Sequence, residues 1–392
     1  MTLRIVMSIL VLLFGSLAWA QEPALAPATD SLPLFETSAP HAILIDGRSG
    51  EVFFEKAADV AVPPASMSKL MTQVIVFDLL KSGELKDDQE FTISEDAWRR
   101  GGSPSGSSTM YAELNSKVRI IDLLRGAIIQ SANDACIALA EGIAGSELAF
   151  TEKMRKKAEA IGLKNSVFKN STGLPDPGHV MSMRDLVLLA KHIVYEHPVR
   201  YALYSEKGFT WNKIEQANRN PLLKDYAGAD GMKTGFTKEA GYGLVGSVQR
   251  DGRRLIMAIA GMKTAGDRKL EAQKLLDWGF RQFKTVDVFE KDEVLAEARV
   301  WGGERNWVDL RTSKAFQVAL TPSERKTVEM KLSYTGPLYA PVKAGTEVGQ
   351  ARVVVGGRTI AEIPVLTAGD VAAVESMFDK ALDSLSMMIF GG

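Results

Sequence analysis

Hydrophobic and polar residues show strand-like runs at the start of the main body of the chain and helical spacing in its centre. Segments 41–45 and 51–54 predict two strands, and the Asp-Gly-Arg-Ser-Gly between them is typical of a hairpin turn. Apolar residues then recur every three to four positions, which predicts helices. The predicted helices are 67–80, one or two over 120–143, 150–161 and 184–195.

The pattern returns to strands near residue 241. Segments 242–248 and 255–262 are rich in glycine, valine and isoleucine and flank a polar turn, so they predict a second hairpin, with a helix over 272–283 after it. Strands at both ends with helices between them predict an α+β domain over 41–290. In this domain a helical cluster packs against one antiparallel sheet.

Two further segments follow this domain. Short alternating runs spaced by glycine, proline and lysine turns predict a small all-β domain over 291–366.

Over 367–392, apolar residues from Val371 to Ile389 share one helical face, which predicts an amphipathic C-terminal helix. Such a helix can pack on the protein or lie on a bilayer. Four acidic residues and one basic residue from Asp370 onward give a charge of −3, which leaves apolar burial as the main force on a membrane.

The N-terminus has the composition of an export signal. Arg4 precedes a mostly apolar run over 5–17, and Ala-Trp-Ala at 18–20 fits a cleavage site, so we expect a signal peptide over 1–20. The apolar run is shorter than the roughly 20 residues of a membrane-spanning helix. The region 21–40, rich in proline and alanine, then predicts a linker.

Composition excludes several classes of protein. With 47 basic and 48 acidic side chains among 392 residues, the chain lacks the excess basic charge typical of nucleic-acid binders. The single cysteine, Cys136, rules out a disulfide scaffold, and its apolar neighbours predict a small core residue. Four histidines without Cys-x-x-C or His-Glu-x-x-His predict no metal site, and we expect no cofactor.

The most informative candidate for chemistry is Ser66-Met-Ser-Lys69, which follows Pro63-Pro-Ala65 and is predicted to begin a helix. A serine there lies among unpaired N–H groups at the positive end of the helix dipole, which favours a developing oxyanion. Lys69 lies one turn away on the same face, where a neutral amine could take the serine proton. Ser-x-x-Lys occurs three times in the chain, so the motif alone is weak.

Two further motifs strengthen the assignment of Ser66. Ser131-Ala-Asn133 is the only Ser-x-Asn in the chain, and Lys233-Thr-Gly235, which is predicted to lead into a strand, is the only Lys-Thr-Gly. The order Ser-x-x-Lys, Ser-x-Asn, Lys-Thr-Gly is a strong signal for a serine acyl-transfer site.

These motifs resemble those of the low-molecular-mass penicillin-binding proteins, specifically the serine-type D-alanyl-D-alanine carboxypeptidases. The resemblance covers nearly the whole mature chain. It implies the penicillin-binding/β-lactamase-like transpeptidase fold, and removal of the terminal D-alanine from peptidoglycan stem pentapeptides through a serine acyl-enzyme that β-lactams inhibit. It also implies a periplasmic location on the inner membrane, with peripheral attachment through the C-terminal helix. The segments that carry it include 64–72, 130–136, 218–220, 231–235 and 275–280.

The resemblance also implies roles for individual residues. Ser66 would be the acylated nucleophile, Lys69 its general base and Ser131 the proton relay to the leaving D-alanine. The residues implied in substrate binding are Asn133 for the peptide amide, Lys233 and Thr234 for the terminal carboxylate, Gly235 for close approach of the substrate backbone, Phe236 with Ser66 for the oxyanion through their N–H groups, and Arg268 for the carboxylate.

One position departs from the family pattern. The family commonly has histidine after Lys-Thr-Gly, where this chain has Phe236. An oxyanion contact through the backbone N–H survives this change, whereas any side-chain contribution to deacylation or carboxylate binding does not.

Three alternatives compete with this assignment. A related serine β-lactamase would carry a glutamate on a loop after Ser-x-Asn, and 163–186 contains Asp176 and Asp185 but no glutamate. A Ser-His-Asp triad could use His179 with Asp176, but no Gly-x-Ser-x-Gly elbow is present. A cell-wall-binding protein with a relic site is disfavoured because the motif residues are intact.

Overall fold

The computed structural model describes residues 35–378, 381, 384 and 385. The predicted signal peptide, most of the predicted linker and most positions beyond 378 lie outside the described residues. The strands are β1 His41–Asp46, β2 Val52–Lys56, β3 Glu90–Thr92, β4 Lys117–Arg119, β5 Gly208–Trp211, β6 Ile214–Ala217, β7 Ala229–Thr237, β8 Gly241–Arg250, β9 Arg253–Met262, β10 Lys284–Phe289, β11 Val294–Trp301, β12 Trp307–Thr312, β13 Phe316–Leu320, β14 Val328–Tyr334, β15 Leu338–Tyr339, β16 Glu347–Val355 and β17 Arg358–Thr367. The α-helices are α1 Lys69–Ser82, α2 Ile120–Arg125, α3 Asn133–Ala144, α4 Glu147–Ile161, α5 Met183–Glu196, α6 Pro198–Tyr201, α7 Leu222–Asp225 and α8 Ala265–Gln282.

The first domain is organised around an antiparallel sheet in the order β2-β1-β9-β8-β7. Strand β1 pairs with β9, so both ends of the domain meet in one sheet, as the sequence predicts. The α+β class is thereby confirmed. Because β7 is the last strand in this order, one of its edges faces away from the sheet.

The two faces of the sheet bury alternate residues of β1. Ile43 and Ile45 join the large core formed with the helical cluster. Leu44 points to the other face, where it lies against Gly279 of α8. This alternation is the two-residue period of a strand that is covered on both sides.

Helix α1 runs through the middle of the helical cluster. All nine residues from Lys69 to Phe77 are buried. A helix that is buried on every side needs no amphipathic pattern. It therefore has to accommodate the polar Lys69, Thr72 and Gln73 inside the core.

The domain begins earlier in the chain than the first strand. The ring of Phe35 lies 5.1 Å from that of Phe54 and 5.2 Å from that of Trp278. Thr37 Oγ1 donates a hydrogen bond to Glu271 Oε2 at 2.7 Å. Residues 35–40, which the sequence assigns to the linker, are thus packed on the domain because an aromatic cluster holds them.

The second domain is all-β, as the sequence predicts. Its main sheet has the order β14-β16-β17-β12-β11-β15, and β10 pairs separately with β13. Because β10 starts at Lys284, strand pairing begins before residue 291, where the sequence places the start of this domain. At the other end Val371 is buried and bridges to Val342. Val371 therefore belongs to the core of this domain rather than to a helical face.

Among the residues that the structure describes, no helix is long and apolar enough to cross a bilayer. In the tail, Met377 and Phe378 begin a helical stretch and are largely exposed. The amphipathic helix predicted over 367–392 is therefore wrong for 367–376, which are not helical and form bridges to the β domain at Val371 and Ala373, and most of its later positions lie outside the described residues.

Gly279 offers a test of how α8 packs on the sheet. A Cβ at this position would lie 2.9 Å from Leu255 Cδ1, so we expect Gly279→Val to destabilise the domain by about 1–3 kcal/mol through overpacking. Gly266→Ala, in the first turn of the same helix, serves as the control, because a Cβ there meets only Thr264 Oγ1 at 3.6 Å. Thermal unfolding of both variants measures the difference, and an equal Tm for the two would contradict this account of the packing.

Candidate active site

Ser66 lies in a tight 3-10 turn, Ala65–Ser68, that leads directly into α1. The serine is therefore one turn before the α-helix rather than in its first turn. Ala65 adopts φ of +47°, a left-handed conformation that costs a non-glycine residue on the order of 1–3 kcal/mol. Such strain beside a candidate nucleophile is typical of functional sites.

Lys69 reaches back to Ser66, as the one-turn spacing predicts. Its Nζ lies 2.9 Å from Ser66 Oγ and donates to the carbonyl oxygen of Thr172 at 2.5 Å. The side chain is fully buried between these two groups. With one N–H directed to Thr172, the lone pair of a neutral amine can accept the hydroxyl proton of Ser66.

The surroundings favour that neutral amine. Burial is the largest cause that lowers the pKa of Lys69, which falls to about 8. The positive charge of Arg219 acts in the same direction. About one tenth of the amine is then neutral at pH 7, compared with a negligible fraction for a solvated lysine. The site can therefore supply a general base without a histidine.

The Ser-x-Asn motif lies where a π-helical turn, residues 126–130, gives way to α3. Ser131 adopts φ of +62°, and its Oγ is buried with no hydrogen-bond partner among the described residues. Asn133 begins α3, and its Nδ2 donates to Ser107 Oγ at 2.9 Å. Its Oδ1 is likewise buried and unpaired within the described part of the chain. Both atoms are available for a ligand.

Lys233, Thr234 and Gly235 lie inside β7, which corrects the expectation that they only lead into a strand. A Cβ on Gly235 would lie 2.9 Å from the carbonyl oxygen of Pro64, so the absence of a side chain lets β7 approach the Ser66 turn closely. Lys233 Nζ donates to the carbonyl oxygen of Thr234 at 3.0 Å. Burial holds the pKa of Lys233 well below its usual value, and the charges of Lys69 and Arg219 lower it further.

Phe236 and Arg268 both contact Tyr242. Phe236 is half exposed and stacks on Tyr242 with ring centroids 4.1 Å apart. The guanidinium of Arg268 lies over the Tyr242 ring at 5.5 Å. The structure thus places both predicted binding residues beside the end of β7. The side chain of Phe236 therefore packs on Tyr242, in the position where the family commonly has a histidine.

Three residues without a predicted role complete the site. Arg219 donates to Gln130 Oε1 and to Ser108 Oγ, both at 2.6 Å, and its charge acts on Lys69 and Lys233. Its position in the segment 218–220 that resembles the family was the only signal for it. Thr172 contacts Lys69 through its backbone carbonyl, which every residue has, so the sequence alone could not predict this role.

The third of these residues is Glu147, at the start of α4. Its Oε1 accepts from the backbone N–H of Ser171 at 2.9 Å and from the Ser171 hydroxyl at 2.6 Å, while Oε2 accepts from Arg100. Glu147 thereby holds the loop whose next residue, Thr172, binds Lys69. A glutamate is thus near the site, but from outside the 163–186 loop and with its oxygens bound to protein groups.

His179 does not form a triad. Its Nδ1 accepts from the backbone N–H of Lys169 at 3.4 Å, and its Nε2 has no partner among the described residues. Asp176 meets His179 only through a backbone hydrogen bond. Burial lowers the pKa of His179 to about 4, so the ring is neutral at physiological pH.

Cys136 is a core residue, as its neighbours in the sequence predict. It is fully buried on α3, one turn after Asn133. Burial raises the pKa of its thiol to about 11, although the nearby charges of Lys69 and Lys233 act in the opposite direction. The buried thiol is therefore neutral and supplies no nucleophile.

Comparison with known proteins settles what these motifs belong to. The family model for D-alanyl-D-alanine carboxypeptidases matches residues 26–264. The chain belongs to this family. Among its relatives, D-alanyl-D-alanine carboxypeptidase DacC of Escherichia coli is 39% identical over 363 residues, which cover 92% of this chain and 89% of that protein.

Solved structures of penicillin-binding proteins are similar in architecture as well as in sequence. Penicillin-binding protein 5 from Haemophilus influenzae is 37% identical with a TM-score of 0.77, and the match covers 87% of this chain and 99% of that one. Penicillin-binding protein D2 from Listeria monocytogenes, in its ampicillin-bound form, is 30% identical with a TM-score of 0.57 over 64% of this chain and 100% of that one. Residues 283–373 match the C-terminal domain of penicillin-binding protein 5.

These matches confirm the function predicted from the motifs. The chain is a D-alanyl-D-alanine carboxypeptidase, a serine-type hydrolase, with a penicillin-binding protein 5-like fold. The β-lactamase and relic-scaffold alternatives are correspondingly set aside.

The pKa of Lys69 predicts the pH dependence of this carboxypeptidase. If the neutral amine of Lys69 is the reactive form, kcat/KM for D-alanine release should rise with pH through about 8 and fall about tenfold per unit below about pH 7. A pH series of initial rates with a D-Ala-D-Ala-terminated peptide measures this profile. An activity that stays constant between about pH 6 and 9 would contradict it.

Proposed function

We propose that this carboxypeptidase removes the terminal D-alanine from peptidoglycan stem pentapeptides through an acyl-enzyme on Ser66. Lys69 takes the proton of Ser66 Oγ as this oxygen bonds to the carbonyl carbon of the penultimate D-alanine. The amide C–N bond then breaks, and the departing D-alanine nitrogen receives a proton through Ser131. Water hydrolyses the resulting ester and restores Ser66. The 2.9 Å contact between Lys69 Nζ and Ser66 Oγ is the observation that carries this proposal.

The substrate would bind as a strand added to the free edge of β7. Gly235 would allow its backbone to approach, and the N–H groups of Ser66 and Phe236 would hold the oxyanion. The unpaired Oδ1 of Asn133 supports a contact with the substrate amide. The terminal carboxylate would meet a cluster of cationic and hydroxyl groups, namely Lys233, Thr234 and, over Tyr242, Arg268.

The same serine would be acylated by β-lactams. A strained lactam amide presents a carbonyl to Ser66 in place of the D-Ala-D-Ala bond, and its leaving nitrogen stays tethered to the acyl group. Support comes from the Listeria relative, whose structure contains ampicillin. Because the oxygens of Glu147 are bound to Ser171 and Arg100, no free carboxylate of this residue would activate the deacylating water.

We also infer that the mature chain works outside the cytoplasm, at the periplasmic side of the inner membrane. The signal-like residues 1–20 support export. The apolar face predicted over 367–392 supports peripheral attachment. Exposure of Met377 and Phe378 is consistent with that face being available to lipid.

Substitution of the nucleophile tests the catalytic proposal. We expect Ser66→Ala to abolish release of D-alanine from a stem pentapeptide, observed by mass spectrometry as loss of the product that is one D-alanine lighter. Ser323→Ala, in another Ser-x-x-Lys of the chain, should retain full activity. Unchanged release by Ser66→Ala would refute the assignment.

Membrane attachment is tested by removing the tail. A mature chain ending at Val374 keeps the bridges of Val371 and Ala373 to the all-β domain. We expect the full-length protein to float with phospholipid vesicles and the shortened one to stay in solution, while both release D-alanine from a soluble pentapeptide at the same rate. Flotation of the shortened chain would contradict attachment through the C-terminal helix.

A further inference from the structure

Three potential metal ligands converge in the helical cluster, away from the active site. Asp78 lies on α1, His192 on α5, and His197 at the junction of α5 and α6. One carboxylate oxygen and one nitrogen from each histidine all lie within 4.8 Å of one another. Nine residues of α1, or about 14 Å, separate Asp78 from Lys69.

The two histidines have nitrogens without hydrogen-bond partners. Nε2 of His192 and Nε2 of His197 are both buried, and neither makes a well-aligned hydrogen bond within the described part of the chain. Asp78 Oδ1 nevertheless lies only 3.1 Å from His197 Nε2. Buried imidazole nitrogens are normally satisfied, so the unpaired Nε2 of His192, beside a carboxylate and a second imidazole, points to a shared ligand.

The carboxylate is oriented by a fourth residue. Lys157 Nζ lies 2.8 Å from Asp78 Oδ2, on the oxygen that does not face His197. Lys157 therefore fixes the plane of the carboxylate while Oδ1 faces His197, and a monodentate contact of Oδ1 with an ion would replace its contact with His197 Nε2.

We propose that Asp78, His192 and His197 bind a divalent transition-metal ion of the zinc class, with water in the remaining coordination position. Two imidazoles and one carboxylate are donors that Zn²⁺ accepts, at about 2.0–2.2 Å from each atom. Ligand atoms around a tetrahedral ion lie about 3.4 Å apart, so side-chain shifts of about 1 Å close the site. The sequence does not predict this site, because the two histidines match no metal-binding motif and the carboxylate comes from a helix that is distant in the chain.

Such an ion would join α1 to the end of α5. Because it lies far from Ser66, its effect should be on stability rather than on D-alanine release. A nearby ammonium group opposes a cation, so Lys157 should weaken the affinity even as it orients the carboxylate.

The test uses the tag-free mature protein, treated with chelator, desalted and titrated with ZnCl₂ by calorimetry and thermal unfolding. We expect one saturable site and a rise in Tm of about 2–4 °C at saturation, with D-alanine release unchanged. His192→Gln should abolish both the binding and the rise in Tm, whereas His41→Gln, a histidine on β1, should leave them intact.

A second variant distinguishes the proposed geometry from incidental binding. Lys157→Gln should bind Zn²⁺ about tenfold more tightly, since it removes the opposing charge and retains a donor to Asp78 Oδ2. Absence of saturable binding, binding that survives His192→Gln, or weaker binding by Lys157→Gln would each overturn the proposal. The Tm of each variant in chelator confirms that it is folded.

Discussion

The active site depends on one buried amine. Lys69 is enclosed by the helical cluster, and its hydrogen bond to the Thr172 carbonyl fixes its direction towards Ser66. Desolvation makes the charged form costly, which allows a side chain that is ordinarily protonated to act as a base near neutral pH. The amine is fully buried, and β7 closely approaches the strained turn that carries its partner Ser66.

The supporting contacts around that amine come from distant parts of the chain. Glu147 on α4 holds Ser171, whose neighbour binds Lys69, and Arg219 links Gln130 to Ser108 while its charge discourages protonation of both buried lysines. The result is a site in which polar groups from six segments of the chain are positioned by a few hydrogen bonds to charged groups. Rigidity of this kind favours covalent chemistry, since little reorganisation is needed when the acyl bond forms.

Much of the fold and the central residues of the site follow from the sequence, for identifiable reasons. Helical and strand periodicity locate the elements of the first domain, and a lysine one turn after a serine fixes the 2.9 Å contact. Glu147 and the carbonyl of Thr172 could not be predicted, because their roles arise from tertiary contacts with no local pattern. Val371 was misassigned to a helix because its apolar character suits a β core equally well.

The unpaired edge of β7 has a consequence for selectivity. Free backbone groups at this edge can form hydrogen bonds with the main chain of an extended peptide, including one that contains D-residues, because these bonds do not involve its side chains. If substrate binds along this edge as proposed, discrimination would come from how far a chain can continue past Lys233 and Arg268. The specificity of such an enzyme would depend more on the number of residues between the cleaved bond and the C-terminus of the substrate than on the identity of the residues before that bond.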